Sequence, residues 1–222
     1  MKIALLTIAS GKQYRGYANQ LFDSINLFLP DHELTPLIFS DGHVEVDIPH
    51  RFYPILHLPV PLTTLLRFSY FRELDLSEFD LIFYIDADCC IVKPINDEIF
   101  PEKGQVVAVQ HPWESYNSNI YEINPLSTAR VIDNKGMHYF QGCFFGGWRV
   151  DFISMIDVLD RNVKIDLKNR IIAKWYDESH LNNYLIQHPP KELDPGYAYP
   201  GRDIYQKQNI VPKIIHYNYG GV

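Results

Sequence analysis

Apolar residues run almost unbroken through Lys2–Ile8 and again through Asp80–Ile85. Such runs are the mark of strands buried on both faces, since a half-exposed strand would alternate. Shorter apolar runs at Leu34–Phe39, Phe52–Leu56 and Gln105–Val109 read as further strands. Helical spacing appears near Ala18–Leu29, where Pro30 stops it, and returns between Leu62 and Leu74. A glycine-containing turn, Ser10–Gly16, joins the first strand to the first helix. Strands alternating with helices predict an α/β fold with a mainly parallel sheet.

From Pro112 to Met137 the periodicity breaks down, in a stretch that holds Trp113, Tyr116, Asn117, Asn119, Tyr121 and Asn124. Long irregular segments in compact domains are functional or disordered, and the aromatics favour an ordered binding loop. A glycine-rich hydrophobic stretch, Tyr139–Trp148, follows, then a long helical region through Ile172. A last helix starts near Glu178, with Leu181, Tyr184, Leu185 and His188 on one face.

At 222 residues the chain suits one domain, and 46% hydrophobic residues can fill a large core. The net charge of −7 argues against a nucleic-acid partner, so a polyphosphate substrate would need local cations or a metal. Three cysteines make no disulfide framework and fit a reducing compartment. Cys89 and Cys90 would face opposite sides of a strand, a poor metal pair. No apolar run reaches membrane-spanning length and the first residues lack a signal-peptide layout, so a soluble cytoplasmic protein is expected.

The candidate chemistry begins at Asp86-Ala87-Asp88, directly after the apolar run that ends at Ile85. Residues two apart on a strand project to one side, so both carboxylates can converge at the carboxyl edge of the sheet, where open α/β sheets bind ligands. Two acids without a basic neighbour repel each other, and Mn²⁺ or Mg²⁺ relieves that. The tripeptide alone equally fits a solvated turn. In Tyr139-Phe140-Gln141-Gly142-Cys143-Phe144-Phe145-Gly146-Gly147, small residues permit close approach of a ligand or tight strand packing. Trp175-Tyr176-Asp177-Glu178-Ser179-His180-Leu181-Asn182 places two acids, a histidine and an amide at a helix start. Capping by Asp177 accounts for one acid, but not for Glu178 or His180.

The last two motifs resemble the family-six glycosyltransferases, the group of the blood-group A and B transferases and the α1,3-galactosyltransferases. The resemblance is carried by Asp177–Asn182 with Tyr184-Leu185, by Phe144–Gly147, and by His111-Pro112 in the same order across roughly residues 60–190. It implies a GT-A fold over the whole chain, with a nucleotide-binding half of about 1–110 and an acceptor half of about 111–222. It also implies a UDP-galactose or UDP-N-acetylgalactosamine donor, a glycan acceptor, and transfer to a galactose-type hydroxyl in α1,3 linkage with retention. By position, Asp86 and Asp88 would hold the metal, Glu178 would lie beneath the anomeric carbon, and Asp177 and Arg67 would hold the donor sugar. His111, Trp113 and Trp175 would meet the acceptor, and Ala9 and Tyr14 the uridine. Gln141, Gly142 and Cys143 would lie beside the sugar's 2-substituent. An amide at Gln141 that can bond an acetamido group favours N-acetylgalactosamine.

The chemistry agrees. Loss of UDP builds negative charge that a metal stabilises and positive charge on the sugar that a carboxylate stabilises. Retention can pass through a covalent intermediate or through same-face attack, and both remain open. Both acids of Asp86-Ala87-Asp88 are kept, which points to metal dependence, whereas the basic tail of the vertebrate members is not evident after Lys213. Instead, His216 resembles the carboxyl-terminal metal ligand of the glycogenin-like transferases. A partly buried strand histidine is the alternative. A dehalogenase-type phosphatase would place its acids after the first strand, with Thr or Val where Cys90 stands. A catalytically weak UDP-sugar hydrolase or silent sugar-binding protein on the same fold remains the competing reading.

Overall fold

The computed structural model describes residues 1–112, 120–201 and 210–217. Its central sheet has seven strands: β1 (Lys2–Ala9), β2 (Glu33–Ser40), β3 (Arg51–Pro54), β4 (Leu81–Ile85), β6 (Val106–Gln110), β7 (Phe140–Trp148) and β8 (Lys191–Leu193), in the order β3-β2-β1-β4-β7-β6-β8. Strands β3, β2, β1 and β4 are mutually parallel. Strand β7 runs antiparallel to both β4 and β6, and β8 is parallel to β6. A small second sheet joins β5 (Cys89–Ile91), β10 (Ile214–His216) and β9 (Tyr199–Pro200), in the order β5-β10-β9. This is the α/β, mostly parallel arrangement expected of a GT-A-like fold.

Both faces of the central sheet are covered, which is why its strands read as unbroken apolar runs. On β4, Leu81, Phe83 and Ile85 join the core that includes Ala18, Leu21 and Phe22 of helix α1 (Lys12–Asp23). Ile82 and Tyr84 enter the opposite core. There they meet α3 (Arg67–Arg72), α4 (Arg149–Lys168) and α5 (Tyr176–Gln187), and a short α2 (Leu62–Leu65) precedes α3.

Helix α1 starts earlier than its apolar spacing suggests and ends at Asp23, well before Pro30. Gly11 makes the early start possible. Its φ of 86° is a conformation that favours glycine, and Asp41 accepts its N–H at 2.8 Å. At the other end the Ser24 hydroxyl takes up the Leu21 carbonyl at 2.8 Å.

The glycines of β7 divide the two readings of that stretch between them. A Cβ on Gly146 would collide with Phe83 and with the Ile82 carbonyl, so this glycine serves the tight β4–β7 pairing. A Cβ on Gly142 would sit in ordinary contact with Asp177 Oδ2 and Glu178 Oε2 at 3.6 Å and Glu178 Cβ at 3.7 Å. The register against β6 breaks between them: Ala108 pairs with Phe145, but Val109 pairs with Gln141. Residues 142–144 bulge out, and bulges re-aim backbone beside active sites.

Candidate active site

A cleft of about 550 Å³ opens at the carboxyl end of β1 and β4, within the range that holds small-molecule ligands. Five expected residues do not stand apart there: Tyr14, Arg67, Asp86, Asp88 and His216 all line it. Ala9 lies just beneath, fully buried at the end of β1, with its carbonyl accepting the Ser40 hydroxyl at 2.6 Å.

Arg67, at the start of α3, organises the inner end. Its Nη1 donates to the Gly142 carbonyl at 3.0 Å, Nη2 lies 3.5 Å from Asp86 Oδ1, and Nε lies 3.3 Å from Asp177 Oδ2. The guanidinium also stacks over the Tyr84 ring, 4.7 Å from its centroid. Burial alone would lower its pKa, but Asp177, Tyr84, Asp86 and Glu178 push it upward, so the cation is permanent. On Asp86 the contacts with Arg67 and with the Tyr84 hydroxyl both fall on Oδ1. That leaves Oδ2 as the oxygen it would offer a cation. Burial raises the Asp86 pKa, Arg67 opposes that, and Asp88 adds to it.

Glu178 lies against the β7 bulge and accepts the Gly142 N–H on Oε2 at 2.8 Å. Burial pushes its carboxyl up to about 7, although the Gly142 N–H pulls the other way and Asp177 adds to the rise. The Tyr139 hydroxyl is near enough to polarise it, yet makes no hydrogen bond of good geometry among the described residues.

The helix that carries these acids is not capped by Asp177. No side chain caps its first turn; Asp177 is paired with Arg67, and the Ser179 hydroxyl accepts the Trp175 N–H at 2.9 Å. Tyr176 holds φ at 52°, a strained value for an aromatic residue, directly before the two acids. Asn182 locks the register of α5 against β7. Its Oδ1 accepts the Phe140 N–H at 2.8 Å, and its Nδ2 donates to the carbonyls of Phe140 and Glu178 at 2.8 and 2.9 Å.

The remaining expected residues fall around this centre. Trp175 is half exposed, just ahead of α5. The His111 ring is edge-on to Tyr139, and its backbone N–H donates to the Tyr139 carbonyl at 2.8 Å. Burial, helped by the nearby His216, pulls its pKa to about 4, so it is neutral. Trp113 lies outside the described residues, as do Tyr116, Asn117 and Asn119. The loop beyond them is tied down by Asp166, which accepts the Ser127 hydroxyl at 2.5 Å and the Thr128 N–H at 2.8 Å. Gln141 Nε2 lies 2.8 Å from His216 Nδ1, and Cys143 is buried. Gly142 is therefore the member of that trio whose open face meets the two acids.

His216 reaches the site because β10 pairs antiparallel with β5, which puts it opposite Cys89. Its Nε2 lies 3.3 Å from Asp88 Oδ1. Burial opposes its protonation, but Asp88 raises its pKa to about 9. A carboxylate and an imidazole converging on one point fit a divalent cation such as Mn²⁺, with Asp86 close by.

The sequence reading missed the other wall of the cleft: Ser10, Lys12, His57, Thr63 and Thr64. Ser10 Oγ and His57 Nδ1 are 2.9 Å apart. Only Lys12 gave a signal, as a cation beside the first turn.

Residues 64–217 match glycosyltransferase family 6. The chain is 30% identical to the O-antigen biosynthesis glycosyltransferase WbnI of Escherichia coli over 218 residues, covering 90% of this chain and 88% of that protein. It is 34% identical over 131 residues to human globoside alpha-1,3-N-acetylgalactosaminyltransferase 1, covering 56% of this chain and 36% of that protein. Rat histo-blood group ABO system transferase 2 is 40% identical over 80 residues, covering 36% of this chain and 24% of that protein. With the family model matched over residues 64–217 and WbnI over nearly its whole length, this chain belongs to glycosyltransferase family 6.

Proposed function

We propose that the chain transfers N-acetylgalactosamine or galactose from a UDP-sugar to a galactose-type hydroxyl of a glycan, in α1,3 linkage, with retention and with Mn²⁺ or Mg²⁺. The observation that carries this reading is the convergence of Arg67, Asp177, Glu178 and the Gly142 backbone beside Asp86 and Asp88. The nucleotide half is about 1–110 and the acceptor half about 111–222. UDP enters the cleft beside Tyr14 and Lys12, with the sugar at the Arg67 end. The name of the human relative, an alpha-1,3-N-acetylgalactosaminyltransferase, supports this class of transfer.

Each group then has a task. Arg67 and Asp177 orient the sugar hydroxyls, and because Arg67 is already held by two acids it needs little reorganisation. Glu178 faces the reacting carbon as an anion and stabilises positive charge on the ring. Gly142 leaves room for the sugar against both acids. His111 is neutral, so it can accept a proton or a hydrogen bond from the acceptor hydroxyl, with Trp175 and Trp113 beside it. Asp88 and His216, with Asp86, would hold the cation, which supplies charge neutralisation to the departing diphosphate.

The test is product analysis by NMR with UDP-N-acetylgalactosamine or UDP-galactose and a galactoside acceptor, with Mn²⁺ and again with EDTA. An α-linked product that requires the metal supports the reading. A β-linked product, sugar-phosphate hydrolysis without transfer, or full activity in EDTA contradicts it. Among the described residues no helix is long and apolar enough to cross a membrane.

A further inference from the structure

The corner where β4 turns into β5 holds donors of very different hardness. Among the described residues, the ligand atoms of Asp88, Cys89 and His216 all lie within 4.8 Å of one another. The backbone produces this meeting. His216 stands directly opposite Cys89 in the β5–β10 ladder, and opposite residues share a face. The Tyr217 N–H closes the ladder on the Asp88 carbonyl at 2.9 Å, which brings the imidazole Nε2 to 3.3 Å from Asp88 Oδ1. Asp88 and His216 face the cleft, so an ion has a way in, while Cys89 lies fully buried behind them.

A second observation points the same way. Gln141 is buried, its Nε2 lies 2.8 Å from His216 Nδ1, and its Oε1 has no hydrogen-bond partner among the described residues. The two ends of an amide exchange by a half-turn. With Oε1 facing the ring, the orphan oxygen accepts Nδ1–H, and Nε2, which faces Asp88 at 3.3 Å, is the nitrogen that would bind an ion in exchange for its proton. That is the outer-shell support which metal-ligating histidines use.

We infer that Asp88, Cys89 and His216 form a site for a thiophilic divalent ion, zinc or cadmium, with the Gln141 amide holding the His216 ring. Mn²⁺ and Mg²⁺ prefer oxygen donors and leave the thiol aside; zinc and cadmium take thiolate together with imidazole. On binding, the Cys89 S–H and His216 Nε2–H bonds break, both protons go to water, and sulfur–metal and nitrogen–metal bonds form, with no change of oxidation state. Three protein ligands leave a position open toward the cleft. The ion occupies the place the proposed function gives to Mn²⁺, so zinc competes with it. The inference rests on that reading for this consequence only, and binding itself needs neither donor nor turnover.

The experiment adds Cd²⁺ alone to the metal-stripped full chain, without nucleotide, and follows the sulfur-to-cadmium charge-transfer absorption in the near ultraviolet. The expected result is a band that saturates at one ion per chain and is displaced by Zn²⁺. Cys89→Ser removes it, Cys90→Ser and Cys143→Ser keep it, and Gln141→Leu weakens cadmium binding by roughly 10-fold. No band in the unmutated chain overturns the inference whatever the variants do, and so does a band that survives Cys89→Ser. A chain that binds cadmium this way yet transfers no sugar would defeat the proposed function and leave this site standing.

Discussion

Arg67→Met removes the guanidinium that Asp86 and Asp177 share and keeps much of its length. Arg67 is 6% exposed, lies 3.3 Å from Asp177 and 3.5 Å from Asp86, and donates to the Gly142 carbonyl at 3.0 Å. Removing one partner of a buried ionic network costs about 3–5 kcal/mol, because the partners stay buried without compensation. For a chain of this length that corresponds to a fall in Tm of about 6–20 °C. The assay is thermal unfolding at pH 8 without metal, run as a cycle with Asp177→Asn. Since the two side chains touch, the effects should be non-additive by about 1–3 kcal/mol. Arg67→Lys keeps the charge but not the fork that serves Asp86, Asp177 and Gly142 together, and should recover only part of the loss. A Tm for Arg67→Met within about 2 °C of the parent, or strict additivity with Asp177→Asn, would show that Arg67 does not hold the acids together.

Two further outcomes follow from the same geometry. Asn182→Leu strips the Phe140 N–H and carbonyl of their buried partner. It should cost about 2–4 kcal/mol in denaturant unfolding. It should also lower kcat more than it weakens UDP binding, because it loosens the turn that carries Glu178; equal effects on both would refute this. The Glu178 carboxyl, raised to about 7 mainly by burial, has the opposite sign from a paired acid. The folded chain holds this proton between about pH 4.5 and 7 where the unfolded chain has lost it, so this group makes stability fall as pH rises through that window. Water reaches the half-buried carboxylate, so the loss is about 1–2 kcal/mol rather than the full value of the shift. Glu178→Gln should therefore unfold at a higher temperature than the parent at pH 8 and at the same temperature near pH 4.5; a destabilised variant at pH 8 would restore a structural role.

Much of the fold could be read from the chain because both faces of its sheet are buried. Lys2–Ile8 and Asp80–Ile85 announce themselves by composition alone, and the acids after Ile85 inherit a position at the sheet edge. The start of α1 could not be read, since it depends on Asp41 reaching back to Gly11. Nor could the capping of α5, where Arg67 outcompetes the helix for Asp177. The bulge at residues 142–144 explains why one glycine-rich stretch serves strand packing at Gly146 and opens onto the acids at Gly142. Glycine spacing cannot separate those two uses. The Ser10–His57 wall and the Asn182 clamp join residues far apart in sequence through single polar contacts, and no periodicity records such contacts.

Glu178 stands at the centre of the account, and the kinetics of Glu178→Gln test it most directly. The amide can still accept the Gly142 N–H, so the site's shape is kept while the charge proposed to face the sugar is lost. With Mn²⁺, a UDP-sugar donor and a galactoside acceptor at pH 8, kcat should fall by roughly 10²–10³ while the Kd for UDP stays within about twofold. A kcat within about tenfold of the parent, or a loss carried by UDP affinity instead, would contradict the assignment of Glu178 to the reacting carbon.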